Sequence, residues 1–307
     1  MNKRLVFLMA MLFSANAAAN DLQQPWLKAV ADGWAVKPLL NVGDSPAGKT
    51  YRMVGVPDGL GTMDNGDGTL TILMNHELGK DQGKNRRHFG RGAFVSSWVL
   101  DIASLKVTQG EDQMRKVLLW LPDDKKHVNA VAYSFNRLCS ADLPALSALY
   151  DAASGRGFNG RLFMNGEEDR DGGRAFAHVV TGEGKGISYE LPHLGKFSWE
   201  NAVANPATGS KTVVMGMDDS PGGQVYRYVG EKRSGGNPVE QAGLVGGDLY
   251  GVKVDGKRFG FVKFDDVAAM TGDELEKAGQ KMGITNFMRP EDGSWDANNP
   301  KIFYFAT

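Results

Sequence analysis

From Tyr51 onward the chain reads as short apolar or β-branched runs closed by Gly, Asn or Asp. Runs of about four to eight such residues between turn residues predict strands. Thr69–Met74 follows the turn sequence Asp64-Asn65-Gly66-Asp67-Gly68, and Thr212–Met215 follows Thr208-Gly209-Ser210. Gln224–Val229, Leu249–Val254 and Lys301–Phe305 read the same way. Two stretches predict short helical insertions: Ala141–Ala153, rich in Ala and Leu, and Ala268–Lys281, where Thr271 stands three residues before Glu274 as a capping box. Gly230–Gly247, with its Ser, Gly, Asn and Pro, predicts a long surface loop. The pattern is all-β with short helical insertions, and periodicity alone leaves sandwich, barrel and propeller open.

Composition adds to this picture at three points. The 40 glycines among 307 residues supply the tight turns that many short strands need. The first residues depart from the strand pattern: Lys3 and Arg4, the apolar run Leu5–Phe13, then Ala15-Asn16-Ala17-Ala18-Ala19 are the three zones of a secretory signal. Cleavage is expected after Ala17 or Ala19, leaving residues 20–307 as a single periplasmic or secreted domain. That apolar run is about half of what a membrane span needs, so no membrane association is expected after cleavage. The formal net charge of -1, with no basic stripe among aromatics, argues against nucleic acid or an anionic membrane as partner.

The third point is the single cysteine, Cys139, which has no intramolecular disulfide partner. In an oxidising compartment it is either a small buried hydrophobe or a metal ligand. Acids meanwhile recur where apolar runs end. Asn75-His76-Glu77 follows the run ending at Met74, and can be a plain strand-end turn or a set of hard oxygen donors. Glu167-Glu168-Asp169-Arg170-Asp171 packs four carboxylates into five residues, which repel unless solvent, a proton or a cation absorbs the field. His193, Glu200 and Asn201, then Asp218-Asp219, repeat the theme. Arg289-Pro290-Glu291-Asp292-Gly293 adds a guanidinium whose planar fork matches phosphate oxygens. Paired Cys and His of the zinc type are absent. Acids at strand ends across so much of the chain suit a propeller that converges ligands on one axial site.

The order of several segments resembles the PhoX-type alkaline phosphatases, from roughly Tyr51 to the last residue. They are Val56-Pro57-Asp58-Gly59-Leu60, Leu73-Met74-Asn75-His76-Glu77, Gly166-Glu167-Glu168 and Gly195–Ala202 with Met217-Asp218-Asp219. Met288–Asp292, Trp295-Asp296 and Phe303–Thr307 complete the series. The resemblance implies a six-bladed β-propeller with an axial pocket holding iron and calcium ions, which hydrolyses phosphomonoesters. It implies Cys139, Glu200 and Glu291 as iron ligands, Glu77, Glu167 and Glu168 as calcium or bridging ligands, and Arg289 as the phosphate holder, with Arg289 and Glu291 catalytic. The partner it implies is a small-molecule phosphate ester, and the complete protein would be a monomer. Other calcium-dependent propeller hydrolysis, of lactones or phosphodiesters, and a non-catalytic calcium-binding propeller are the alternatives.

Three departures from the family pattern stand out. Arg137-Leu138-Cys139-Ser140-Ala141-Asp142 lacks the glycines expected around the cysteine. The leader carries Lys3-Arg4 rather than twin arginines, which suggests general secretion and metal loading outside the cytoplasm. Family chains continue past the segment matching Phe303–Thr307, with another metal-binding aspartate. The expectation is therefore a propeller truncated at its C-terminus, with an open ring, low solubility and little activity.

Overall fold

Residues 27–307 are described in the computed structural model, so the leader expected over residues 1–19 lies outside the described residues. The turn-bounded apolar runs become strands where the pattern places them. β1 (Pro57–Asp64), β2 (Thr69–His76), β3 (Phe94–Asp101) and β4 (Lys106–Asp112) form an antiparallel meander in chain order. Its first turn is closed by side chains: Asp64 accepts from the Gly66 N–H at 2.8 Å and Asp67 from the Thr69 N–H at 3.0 Å.

A second sheet begins with β5 (Lys116–Leu121), β6 (Lys126–Ala130) and β7 (Leu138–Asp142). After a small hairpin of β8 (Tyr150–Asp151) and β9 (Arg156–Gly157), the chain returns to it as β10 (Leu162–Glu167), β11 (Ala175–Val179) and β12 (Ile187–Glu190). The strand order is β6-β5-β12-β11-β10-β7, with only the β12–β5 pair parallel. The third sheet is a meander of β13 (Trp199–Ala204), β14 (Lys211–Asp218), β15 (Pro221–Glu231), β16 (Asp248–Asp255) and β17 (Arg258–Lys263). β18 (Asn286–Met288) pairs with the start of β15, and β19 (Gly293–Trp295) pairs with β20 (Phe303–Phe305). The architecture is mostly β, in several sheets, with no closed barrel among the described residues. No helix among them is long and apolar enough to cross a membrane.

The largest core lies between the second and third sheets, where Met164, Ala177 and Val179 face the interior shared by Trp199, Val214, Tyr226 and Leu249. Phe197 stacks on Trp199 with ring centroids 3.9 Å apart and on Tyr226 at 4.6 Å. Each such pair adds about 0.5–1.5 kcal/mol beyond its buried area. Trp199 is the residue before Glu200, so this aromatic stack also anchors a candidate ligand. Phe287 packs edge-on against Phe305 and Trp295 lies tilted against Phe303, so the two short pairings at the end of the chain share one small cluster.

Three sequence expectations meet different outcomes. Over Ala268–Lys281 the helix is present as Gly272–Met282, with Thr271 and Glu274 forming the reciprocal capping box and Gly283 closing it at φ +71°. Over Ala141–Ala153 helix is largely wrong: only Leu146–Leu149 is helical. Ala141 and Asp142 pair with Asn165 and Met164 in the sheet, Pro144 follows, and Tyr150 is already extended, so strand pairing outweighs local propensity. The loop expected over Gly230–Gly247 is partly core: β15 runs to Glu231, and a capped turn of helix at Pro238–Gln241 buries Val239, Ala242 and Leu244 completely.

Candidate metal centre

Each acid in the centre stands at or near a strand end. Asp58 is the second residue of β1, Glu77 follows β2, Glu168 follows β10, Glu200 is the second residue of β13, and Asp219 follows β14. Glu291 and Asp292 lie in the loop between β18 and β19. Cys139, the second residue of β7, lies among them. Gly59 lets β1 approach β7 this closely, because a Cβ there would sit 2.4 Å from the Ala141 nitrogen.

Two groups of donor atoms result. Asp58, Glu77 and Cys139 offer ligand atoms all within 4.8 Å of one another, and so do Glu200, Asp219 and Glu291. The groups touch through Cys139, whose Sγ is 3.5 Å from Glu200 Oε1 and 3.9 Å from Asp58 Oδ2. Ser140 Oγ donates to the same Glu200 oxygen at 2.7 Å.

Two guanidiniums offset part of this charge. Arg137 donates from Nε to Glu77 at 2.9 Å, and its Nη2 meets Glu168 Oε2 at 2.5 Å. Arg289 grips Asp219 with two parallel bonds of 2.8 Å and reaches Glu291 at 3.1 Å. Both arginines have left-handed backbones, at φ +44° and +51°, a conformation that costs about 1–3 kcal/mol for a side-chain-bearing residue and clusters at functional sites. Seven carboxylates (Asp58, Glu77, Glu168, Glu200, Asp219, Glu291 and Asp292) thus share two arginines.

The excess shows in the proton affinities. Burial, reinforced by Asp292 and Glu291, pushes the Glu200 carboxyl up to about 7. Burial also raises Glu168 to about 7, with Glu77 and Asp219 adding to the rise and Arg137 opposing it. The Asp58 carboxyl and Cys139 thiol are raised by burial first and by neighbouring acids second. A bound cation reverses this logic and favours the ionised forms. The donor set fits such ions: carboxylate oxygens suit a hard cation, and the thiol suits a softer transition metal. Asn201 supports the same conclusion, since its buried Oδ1 accepts no hydrogen bond while its Nδ2 donates to Asp292 at 3.0 Å.

Not every residue expected here arrives. Cys139, Glu77, Glu168, Glu200 and Glu291 come together, with Arg289 beside them. Glu167 does not and is corrected: successive strand residues face opposite ways. Its carboxylate accepts from the Tyr133 hydroxyl at 2.8 Å and the Asn136 N–H at 3.0 Å, anchoring the loop that carries Arg137. His193 lies apart, against the edge of Trp120. Asp218 is buried under Ser220, which donates to it at 2.7 Å. Sequence reasoning passed over Arg137 and Ser140 as site residues, and left Asp58, Asp219 and Asp292 without ligand roles. The recurring strand-end acid was the signal for all three carboxylates. Arg137 carried none, because its partners are 60 and 31 residues away.

Residues 187–307 match the family model described as alkaline phosphatase PhoX. Over that stretch the chain is PhoX-like. Among solved structures it is similar to "Pseudomonas fluorescens PhoX in complex with vanadate, a transition state analogue", at 13% identity and a TM-score of 0.50. That likeness covers 79% of this chain and 56% of the other, so the PhoX-like chain spans just over half the length of the matched protein. At this identity the likeness concerns the fold. No curated protein matches in sequence. Glu200, Asp219, Arg289 and Glu291 fall within the family match, whereas Asp58, Glu77, Cys139 and Glu168 precede it.

Proposed function

We propose that the chain is a metal-dependent phosphomonoesterase, releasing inorganic phosphate from small organic phosphates. The observation that carries this reading is the convergence of Asp58, Glu77 and Cys139 with Glu200, Asp219 and Glu291, flanked by only two arginines. The family match over residues 187–307 supports it.

In this reading Cys139, with Asp58, Glu77 and Glu200 in reach, holds iron, because sulfur is too soft for calcium. The all-oxygen group of Glu200, Asp219 and Glu291 would hold calcium, with Glu200 Oε1 3.5 Å from Cys139 Sγ, which moves Glu291 from the iron role and Glu77 from the calcium role that the resemblance implies. Bound cations supply Lewis-acid neutralisation of charge on a phosphoryl group. Arg289, with more than half its side chain exposed, keeps donors free beyond its Asp219 grip and turns them to the phosphoryl oxygens. Arg137 holds Glu77 and Glu168 in place. The proposed setting is a single six-bladed propeller domain exported to the periplasm or medium. The meander sheets, with acids at their strand ends, support the blades, and the leader supports the export.

The test is turnover of a generic aryl phosphate by chelator-treated protein before and after adding calcium and iron. Restoration by the metals is expected. Folded, metal-replete protein with no turnover would sink the reading.

A further inference from the structure

β7 meets β10 with a shift in register. Met164 faces Asp142 and Asn165 faces Ala141, yet Glu167 faces Leu138, so Cys139 and Ser140 together stand opposite Gly166. Two residues against one is a β-bulge. In a regular strand, neighbours point to opposite faces. Here Cys139 Sγ and Ser140 Oγ both reach Glu200 Oε1, at 3.5 and 2.7 Å. The bulge is thus what aims thiol and hydroxyl at one carboxylate. Glycine is required opposite it, since a Cβ on Gly166 would lie 2.4 Å from that of Trp199.

A bulge disrupts the ladder and leaves carbonyls in need of other donors. Asn75, fully buried on β2, supplies them: its Nδ2 donates to the Cys139 carbonyl at 2.7 Å and to that of Ser140 at 3.3 Å. Its Oδ1 accepts from Asn165 Nδ2 at 2.8 Å. Asn165 Oδ1 can only accept, so His178 Nε2 carries the proton across the next contact of 2.9 Å. His178 Nδ1 is then the acceptor for the Ser188 hydroxyl at 2.8 Å. The chain runs in one direction, from β12 through β11, β10 and β2 to β7, because the carbonyls at its end accept and never donate. All four side chains are at most 1% exposed.

We propose that Asn75, Asn165 and His178 are positioning residues of the metal centre: a buried hydrogen-bond brace that holds the Cys139–Ser140 bulge and sets the thiol's place among the carboxylates. This rests on the metal-centre reading given above. Apolar side chains would fill the same space and serve the fold alone, but they cannot hold the carbonyls of a bulge.

Cobalt(II), titrated into the metal-stripped full chain, is the probe. Cys139 is the single cysteine, so a sulfur-to-cobalt charge-transfer band reports its geometry alone. Wild type is expected to show the band and Cys139→Ser to lack it. Asn75→Leu, similar in size without the donor, is expected to lower cobalt affinity about 10-fold or more and to weaken the band. His178→Phe keeps a ring beside Phe176 and is expected to lose about 10-fold, while His178→Gln, which restores an N–H donor, returns near wild type. If Asn75→Leu does not fold, the two His178 variants carry the test. A purely structural role would lower melting temperatures without moving the band. Folded Asn75→Leu or His178→Phe with wild-type affinity and band would overturn the brace. Wild type binding cobalt without the band would overturn both the thiolate ligand and the brace, whereas a braced band without phosphomonoester turnover would overturn the proposed activity alone.

Discussion

Two polar interiors meet at β7 and follow opposite rules. In the network of Asn75, Asn165, His178 and Ser188 each side-chain nitrogen and oxygen has a hydrogen-bond partner, and burial holds His178 neutral, down to about 3. In the candidate metal centre seven carboxylates and a thiol share two arginines, and burial with mutual repulsion drives Glu168 and Glu200 up to about 7. A closed network stabilises the fold by itself. A surplus of like charge does the reverse unless a cation joins it. The difference separates a region built for folding from a region built for binding.

The comparison breaks most visibly at Glu200. Glu200→Gln removes one negative ligand of the all-oxygen group, beside Cys139 of the other group, and the proposed metal-dependent phosphomonoester turnover is expected to fall at least ~100-fold, with metal lost on dialysis. With chelator present, the same variant is expected to melt no lower than wild type, since one repelling charge is gone. Unchanged metal content by elemental analysis would show that Glu200 is not a ligand.

On the closed side the expected effect is on stability. His178→Ala leaves Asn165 Oδ1 and the Ser188 hydroxyl without their partner and should destabilise by about 2 kcal/mol at pH 7 in urea unfolding. The sign of its pH dependence follows from the lowered folded value. Between about 3 and the ordinary 6.5 the unfolded chain binds a proton that the folded chain refuses, so stability rises with pH in that window. Wild type therefore loses stability below pH 6.5, by roughly 1.4 kcal/mol per unit, and the variant does not share that loss. The gap between them should narrow on acidification. Comparing the two chains cancels the opposite contributions of Asp142 and Glu167, whose carboxyls are raised by burial to about 6 and about 7. A gap that stays constant from pH 7 to 5 would show that His178 is not held neutral.

The smallest effect is expected at Arg289, which lies at the exposed rim of the charged region. Arg289→Lys keeps the positive charge and loses the fork that grips Asp219 through two oxygens. Inhibition by inorganic phosphate should weaken about fivefold, with metal content unchanged. Equal inhibition constants would remove Arg289 from substrate binding.

Strand positions, the capped helix after Thr271 and the recurring strand-end acid were legible along the chain, because strand alternation, capping and turn chemistry act over a few residues. The PhoX resemblance likewise rested on short segments in order. Neighbours in sequence could not reveal that Glu167 turns to Tyr133 while Glu168 turns to the centre, since facing depends on which strand lies alongside. The same holds for Ala141 and Asp142, helical by composition and extended by pairing with β10. Asp58 and Cys139 approach to 3.9 Å across 81 residues, and Arg137 joins acids on both sides of itself. What the sequence alone determined was the kind of chemistry, acids and one thiol at strand ends. Which of them converge, and the bulge that turns Cys139 and Ser140 to one oxygen, were decided by register, a property of paired strands that no single strand possesses.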